Sequence, residues 1–167
     1  MGLPALKYED LPHYTYDDYK HWEGKWEVIQ GIPYAMAPSP ARIHQRLHMR
    51  ISFQLESLLQ NCPRCEGYPP IDWQITEDTI VQPDNMIICD DNSDENKIIK
   101  PPVVVFEILS PSTERKEKIV KYRLYQDAGV KYYCMIDPRD KSVEIFMLNE
   151  NTEFEKSGNL DGRMTFD

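Results

Sequence analysis

Two acidic residues stand in or beside apolar segments of the kind that form buried strands. Glu107 lies inside the segment PPVVVFEILS, and Asp84 follows a proline in VQPDNMIICD. An unpaired carboxylate in a strand buried on both faces is costly, so a lysine, a proton or a metal ion must compensate Glu107. Because two carboxylates from neighbouring strands are common oxygen ligands of Mg²⁺, we predict a divalent metal site at Asp84 and Glu107.

A lysine is the third group that this chemistry uses. The order Pro-Asp and then Glu resembles the PD-(D/E)XK nucleases, whose signature continues with a lysine two residues after the second acid. That position is Leu109 here, and strand alternation places it on the same face as Glu107. Lys121 is the replacement, because it shares a helical stripe with Glu117, Leu124, Tyr125 and Ala128. We predict that its ammonium points towards the acids; the alternative is that its stem runs past Tyr125 into solvent.

The predicted elements position these residues on one sheet. The segment KWEVIQGIPYAMA alternates around Gly31 as a β-hairpin does, and YTYDDYKHW is a short helical or irregular lead-in. Helical spacing predicts a helix over 41–60, and a second helix runs from Ser112 or Thr113 to Gly129. Strands are predicted in IDWQI, NMIICD, VVVFEILS, KYYCMID and SVEIFML, and NCPRCEGYPP is predicted to be a turn-rich connection. The end, GRMTFD, lacks a closing element, so we expect a truncated chain.

Composition narrows the class of protein. The 167 residues suit a single domain over 1–167, and 41% hydrophobic with 28% charged residues is typical of an ordinary globular protein. No segment approaches the ~20 apolar residues of a membrane span, and the N-terminus lacks a signal peptide, so we expect a cytoplasmic protein with no membrane partner. The net charge of -9 argues against a broad basic surface, but it allows local basic patches such as ERKEKIVKYR or an acidic metal cleft.

The four cysteines are too few and too scattered for a disulfide scaffold. Cys62 and Cys65 form a CxxC motif, but a zinc ribbon needs a second pair and a redox motif needs its own βαβ setting. We therefore expect Cys62 to lie in a loop, and Cys89 and Cys134 to be small core residues of strands.

Longer motifs extend along nearly the whole chain: YTYDDY, WEVIQGIPYAMAPSPARIHQRL, VQPDNMIICD, VVVFEILSPST and KYRLYQDAGVKYYCMIDP. Together they resemble the Uma-two family of restriction-endonuclease-like proteins, which is widespread in bacteria. The phrase EILSPST followed by Lys121, Tyr125, Gly129 and Val130 is more specific than the acid pair. The resemblance implies an α/β fold of the restriction-endonuclease type, with a mixed central β-sheet flanked by helices and an N-terminal β-hairpin extension.

The resemblance also implies site residues. By position, Asp84 and Glu107 are the metal-binding acids and Lys121 is the displaced lysine, while Glu27 and His44 are additional candidates. Glu27 is either a solvent-facing strand residue or a third carboxylate of the cleft, and the resemblance favours the cleft. His44 begins an i, i+4 histidine pair that could bind a transition metal, but HExxH is absent, and a helix-surface or capping role is the alternative.

Together with these residues, the resemblance implies an endonuclease that depends on Mg²⁺ or Mn²⁺ and hydrolyses phosphodiester bonds of nucleic acid, with DNA the first candidate. Asp84 and Glu107 would hold the metal, and Lys121 would orient water or neutralise charge at the phosphate. His44 or Glu27 could complete the metal shell. The sequence leaves open whether the protein forms a homodimer. The alternatives are a catalytically inactive regulatory protein with a structural Glu107–Lys121 ion pair, or an interaction module of a mobile element or toxin system.

Overall fold

The strands and helices are given by a computed structural model that describes residues 4–37 and 40–159. The first half contains α1 (Tyr16–Tyr19), β1 (Trp26–Ile29), β2 (Ile32–Ala35), α2 (Arg42–Leu59), β3 (Cys65–Tyr68), β4 (Trp73–Thr76), β5 (Thr79–Val81) and β6 (Asn85–Cys89). The second half contains β7 (Val104–Ile108), a π-helical segment (Lys116–Lys121), α3 (Tyr122–Asp127), β8 (Tyr132–Asp137), β9 (Ser142–Leu148) and β10 (Phe154–Asn159). Among these described helices, none has the length and apolarity to cross a bilayer.

The strands form two sheets. The six-stranded sheet has the order β10-β9-β8-β7-β6-β3, and the four-stranded sheet has the order β2-β1-β5-β4. β7 and β8 are parallel, whereas their outer neighbours β6 and β9 pair antiparallel to them. Parallel neighbours need a crossover connection, and the π-helical segment with α3 supplies it. The predicted mixed central sheet is confirmed.

Both faces of the six-stranded sheet are covered, as the apolar sequence of β7 predicts. On one face Leu55 of α2 packs in a cluster with Val104 and Phe106. On the other face Val105 packs in a cluster with Tyr125 of α3 and with residues of the four-stranded sheet. Successive β7 side chains thus alternate between two cores, and Glu107 follows the parity of Val105 towards the second one.

The predicted hairpin is present, but it is more than an added extension. Gln30 and Gly31 have φ of 51° and 77°, the left-handed pair that a tight two-residue hairpin turn requires. A Cβ on Gly31 would lie 2.2 Å from Nδ1 of His13, so any other residue there would have to displace the His13 ring as well as adopt a positive φ. Val28 of β1 also pairs with Ile80 of β5, which builds the hairpin into the four-stranded sheet.

Some sequence predictions of secondary structure were wrong. The supposed connection NCPRCEGYPP contains β3, and β5 and β10 were not predicted. β3 lacks β-branched residues, and it forms because β6 pairs with it and because Gly67 lets Leu55 of α2 approach its backbone. The segment GRMTFD lies outside the described residues.

The cysteine prediction also needs a correction. Cys89 is not an unpaired core residue: it forms a disulfide with Cys65, directly opposite it on β3. Cys134 is buried and free, as expected, and Cys62 is free and half-buried. The CxxC pair is therefore split between a disulfide and a thiol, and it is neither a zinc half-site nor a redox pair.

We expect Cys65→Ser/Cys89→Ser to lower the free energy of unfolding by about 3 kcal/mol, because a link across 24 residues restricts the unfolded chain. Urea unfolding followed by tryptophan fluorescence under oxidising conditions measures this. Cys62→Ser removes a free thiol and should leave the midpoint unchanged. A double variant as stable as the native protein contradicts the expectation.

Candidate active site

The two acids lie opposite each other at one end of the β6–β7 pair. The antiparallel register pairs Asn85 with Phe106, so the next residues along, Asp84 and Glu107, face each other. The backbone N–H of Asp84 points at Oε2 of Glu107 from 3.4 Å, and the N–H of Ile108 donates to Oδ2 of Asp84 at 2.7 Å. Neighbouring strands thus bring both carboxylates to one place.

Lys121 is buried between two glutamates. Its Nζ lies 2.8 Å from Oε1 of Glu107 and 2.8 Å from Oε1 of Glu27, and its side chain is 2% exposed. The ammonium therefore does not run past Tyr125 to solvent, and that alternative is wrong. Leu109, at the position of the signature lysine, is buried in the apolar core instead. The positive charge beside Glu107 comes from the helix and not from the strand.

The π-helical segment determines which of its side chains face the sheet. The N–H of Tyr122 donates to the carbonyl of Glu117, five residues earlier, which makes this turn wider than an α-helical turn. In an α-helix, side chains five residues apart diverge by about 140°. Here Lys116 and Lys121 both reach Glu27, at 2.7 and 2.8 Å. The wider turn thus places two ammonium groups on one carboxylate.

Glu27, on β1, is the counter-ion of both lysines. It is fully buried, and its Oε1 also accepts a hydrogen bond from the N–H of Gln82 at 2.9 Å. Burial alone would raise the pKa of Glu27, but Lys121 and Lys116 outweigh burial and lower it. Glu27 therefore points into the cluster, not to solvent. Both of its oxygens are engaged by protein donors, so it holds the lysines in place.

The carboxylates outnumber the ammonium groups around Glu107. Burial raises the pKa of Glu107 well above its ordinary value, Glu117 and Asp84 add to the effect, and Lys121 opposes it. The Tyr125 hydroxyl donates to Oε1 of Glu107 at 2.7 Å. Burial also raises the pKa of Glu117, whose Oε2 is buried with no hydrogen-bond partner among the described residues. The cluster therefore holds more negative charge than its lysines neutralise.

His44 joins the site from α2. Its Nε2 lies 3.2 Å from Oδ2 of Asp84, and this hydrogen bond raises the pKa of His44 against the opposing effect of burial. The helix-surface alternative is therefore wrong. Burial lowers the pKa of His48, one turn later. Among the described residues, His44, His48 and Asp84 are not arranged as a three-residue metal site.

The donors present fit a hard divalent cation held by few protein ligands. Within residues 4–37 and 40–159, no three His, Cys, Asp or Glu side chains are arranged to hold a metal ion. Mg²⁺, however, often uses one or two carboxylates and keeps several waters. Asp84 and Oε2 of Glu107 meet that requirement, since the lysine and tyrosine contacts occupy Oε1 only. The unpartnered Oε2 of Glu117 is a further oxygen that a cation would satisfy.

Comparison with known proteins agrees with this fold. The family model Uma2, described as a putative restriction endonuclease, matches residues 8–166. The chain belongs to the Uma2 family. It is 27% identical over 155 residues to an uncharacterized protein of Synechocystis sp., a match that covers 86% of this chain and 79% of that protein.

A solved structure shares the Uma2 fold seen here. The crystal structure of a putative nuclease belonging to DUF820, from Anabaena variabilis, matches with a TM-score of 0.72 at 17% identity. The match covers 86% of this chain and 83% of that one. The fold of this Uma2 chain is therefore restriction-endonuclease-like.

Sequence reasoning missed two members of the charged cluster around Glu107. Lys116 belongs to the basic patch ERKEKIVKYR and Glu117 to the Lys121 stripe, and neither was predicted as a site residue. A period of 3.6 residues places Lys116 and Lys121 on different sides of a helix, so it does not predict that both contact Glu27. The signal in the sequence was the density of charge in the KEKIVK segment, at a position where a helix must pack on a sheet.

We expect Glu27→Gln to lower the free energy of unfolding by about 3–5 kcal/mol, the usual cost of removing one partner from a buried ion pair. Two lysines would lose their shared counter-ion, although the shape of the side chain is kept. Urea unfolding measures the change, and Glu23→Gln, at an exposed position four residues earlier, is the control. An unchanged stability in Glu27→Gln would show that the lysines do not depend on this charge.

Proposed function

We propose that this Uma2 protein is a divalent-metal-dependent endonuclease that hydrolyses phosphodiester bonds in DNA. The observation that carries the proposal is the juxtaposition of two facing carboxylates, Asp84 and Glu107, with a buried ammonium, Lys121, 2.8 Å from the second acid. This is the acid, acid and lysine set of the PD-(D/E)XK nucleases, with the lysine on a helix. The family description and the Anabaena nuclease support it.

Each residue has a distinct task in this proposal. Asp84 and Oε2 of Glu107 would hold Mg²⁺ or Mn²⁺. The chemistry that such a cation supplies when bound is charge neutralisation at the phosphate and a lowered pKa of coordinated water. Lys121 keeps its positive charge beside Glu107, where it orients water and offsets charge that develops on the phosphate. Glu27 positions Lys121, and His44 holds the Asp84 carboxylate in place.

A catalytically inactive, nuclease-like regulatory protein is the second candidate. The observation that favours it is the pairing already present: Lys121 contacts Glu107 and Glu27, and Lys116 contacts Glu27. The excess negative charge can be removed by protons on Glu107 and Glu117, whose pKa values are raised chiefly by burial. In that case the cluster stabilises the fold without a metal. The two candidates differ in their response to Mg²⁺ and in cleavage.

We expect Mg²⁺ or Mn²⁺ to stabilise the native protein, by ~2.7 kcal/mol at a hundredfold excess over the dissociation constant, because the cation binds only the folded acids. Thermal melting across a millimolar titration measures the effect. Asp84→Asn should weaken it, whereas Asp127→Asn, at an exposed position on α3, should not. A melting temperature that stays the same across the Mg²⁺ and Mn²⁺ titrations rules out the metal site and favours the inactive candidate.

We expect Lys121→Met to lower the rate of plasmid cleavage in Mg²⁺ by about two to four orders of magnitude, the range for one positioned electrostatic or proton-transfer group. Lys118→Met, on the exposed side of the same segment, is the control. We expect this variant to fold, because Lys116 still pairs with Glu27 and Tyr125 still donates to Glu107. Circular dichroism checks that it does.

A second substitution separates the ammonium from its position on the helix. Leu109→Lys in the Lys121→Met background places a lysine on the Glu107 face of the strand and should restore part of the activity. Undiminished cleavage by Lys121→Met, where Asp84→Asn is inactive, would remove Lys121 from the mechanism and leave the metal site standing.

A further inference from the structure

One segment of this acidic chain has the opposite charge. The protein has 28 Asp and Glu residues against 19 Lys and Arg, yet residues 28–55 contain no acidic residue at all. The same segment carries Arg42, Arg46 and Arg50, all within α2. The first acidic residue after Glu27 is Glu56, near the C-terminal end of the helix. Most of α2 is therefore positively charged.

The three arginines form a row on the outer face of α2. Residues four apart in an α-helix differ by about 40° in direction and ~6 Å in height, so the row spans ~12 Å along one side. All three are exposed, whereas Leu55 on the opposite side is buried against the sheet. Within the described part of the chain, none of the three guanidinium groups forms an ion pair or a side-chain hydrogen bond.

The N-terminal end of the arginine row is level with the candidate active site along the axis of α2. His44 lies two residues from Arg42 and from Arg46, but on the opposite, inner side of the helix, where its ring contacts Asp84 at 3.2 Å. Farther along, Nδ2 of Asn85 donates to Oγ of Ser52 at 2.9 Å, which fixes α2 against the start of β6. The helix is therefore fixed by its inner side to the acids, and it carries the arginine row on its outer side.

We propose that the arginine row (Arg42, Arg46 and Arg50) binds the phosphates of one strand of duplex DNA on the outer face of α2, the helix whose inner face contacts Asp84 through His44. The inference rests on the proposed nuclease function. Charge complementarity supports it, because phosphate contacts supply most of the sequence-independent affinity for DNA and the remainder of this protein is acidic.

Other occupants of the same face are distinguishable. Met49 and Phe53, each 73% exposed, also lie on the outer side of α2. An exposed phenylalanine could stack on a base of a single strand, and an apolar pair could contact a second copy of the chain. The unpaired arginines favour the duplex, since a contact between two copies would bring two positive rows together.

The test is binding of a fluorescein-labelled 20-base-pair DNA duplex, followed by anisotropy from 50 to 200 mM salt in EDTA, so that neither cleavage nor the metal enters. We expect Arg42→Gln/Arg46→Gln/Arg50→Gln to weaken binding and to reduce the slope of log K against log salt by about 2 to 3, at ~0.9 per lost phosphate contact. The control, Lys7→Gln/Arg123→Gln/Lys141→Asn, removes three charges from exposed positions outside α2 and should keep the native slope.

Each other result overturns the proposal in a recognisable way. Equal slopes for the α2 variant and its control show that the row contacts no phosphate. Tighter, row-dependent binding of a single strand or of RNA assigns the surface to that ligand instead. A dimer that Phe53→Ser converts to a monomer, in analytical ultracentrifugation, assigns it to a second copy. Plasmid cleavage in Mg²⁺ is measured separately, so loss of the nuclease proposal is not confused with loss of the arginine row.

Discussion

The buried ammonium of Lys121 is the interaction on which the rest of the site depends. It lies 2.8 Å from a carboxylate of each sheet, Glu107 on β7 and Glu27 on β1, and it belongs to the crossover that makes β7 and β8 parallel. A lysine that is 2% exposed keeps its charge only because these partners outweigh burial, which by itself would lower its pKa. One ammonium group thus links the two sheets to the helical crossover.

The same cluster is constrained by its excess of negative charge. Asp84, Glu107 and Glu117 lie near one another, while the two lysines are shared with Glu27. Such a group must take up protons or bind a cation, because like charges in a low-dielectric setting repel strongly. The raised pKa of Glu107 corresponds to proton uptake. Binding of a divalent metal is the alternative. Under the proposed nuclease function, a substrate phosphate would add negative charge to this cluster, and a bound cation would offset it.

Sequence reasoning reached the parts of this structure that depend on local periodicity. The α2 helix, the hairpin at Gly31 and the buried strand around Glu107 each follow from a pattern within a few residues. It missed β3 and the disulfide between Cys65 and Cys89, because that strand exists through its pairing with β6 and not through its own composition. It missed the Lys116 contact because a π-helical turn does not follow the 3.6-residue period.

The position of the lysine has a physical consequence for the fold. A lysine at position 109 would extend from the strand that carries Glu107, and its charge would displace apolar contacts in the core where Leu109 now packs. On the π-helical segment, the ammonium of Lys121 lies between the helix and the sheets, where Glu27 of β1 contacts it. Because the π turn is wide, Lys116 takes the second oxygen of Glu27 and leaves Lys121 free to contact Glu107 as well. The π-helical geometry therefore lets one buried lysine contact Glu27 on β1 and Glu107 on β7 at the same time.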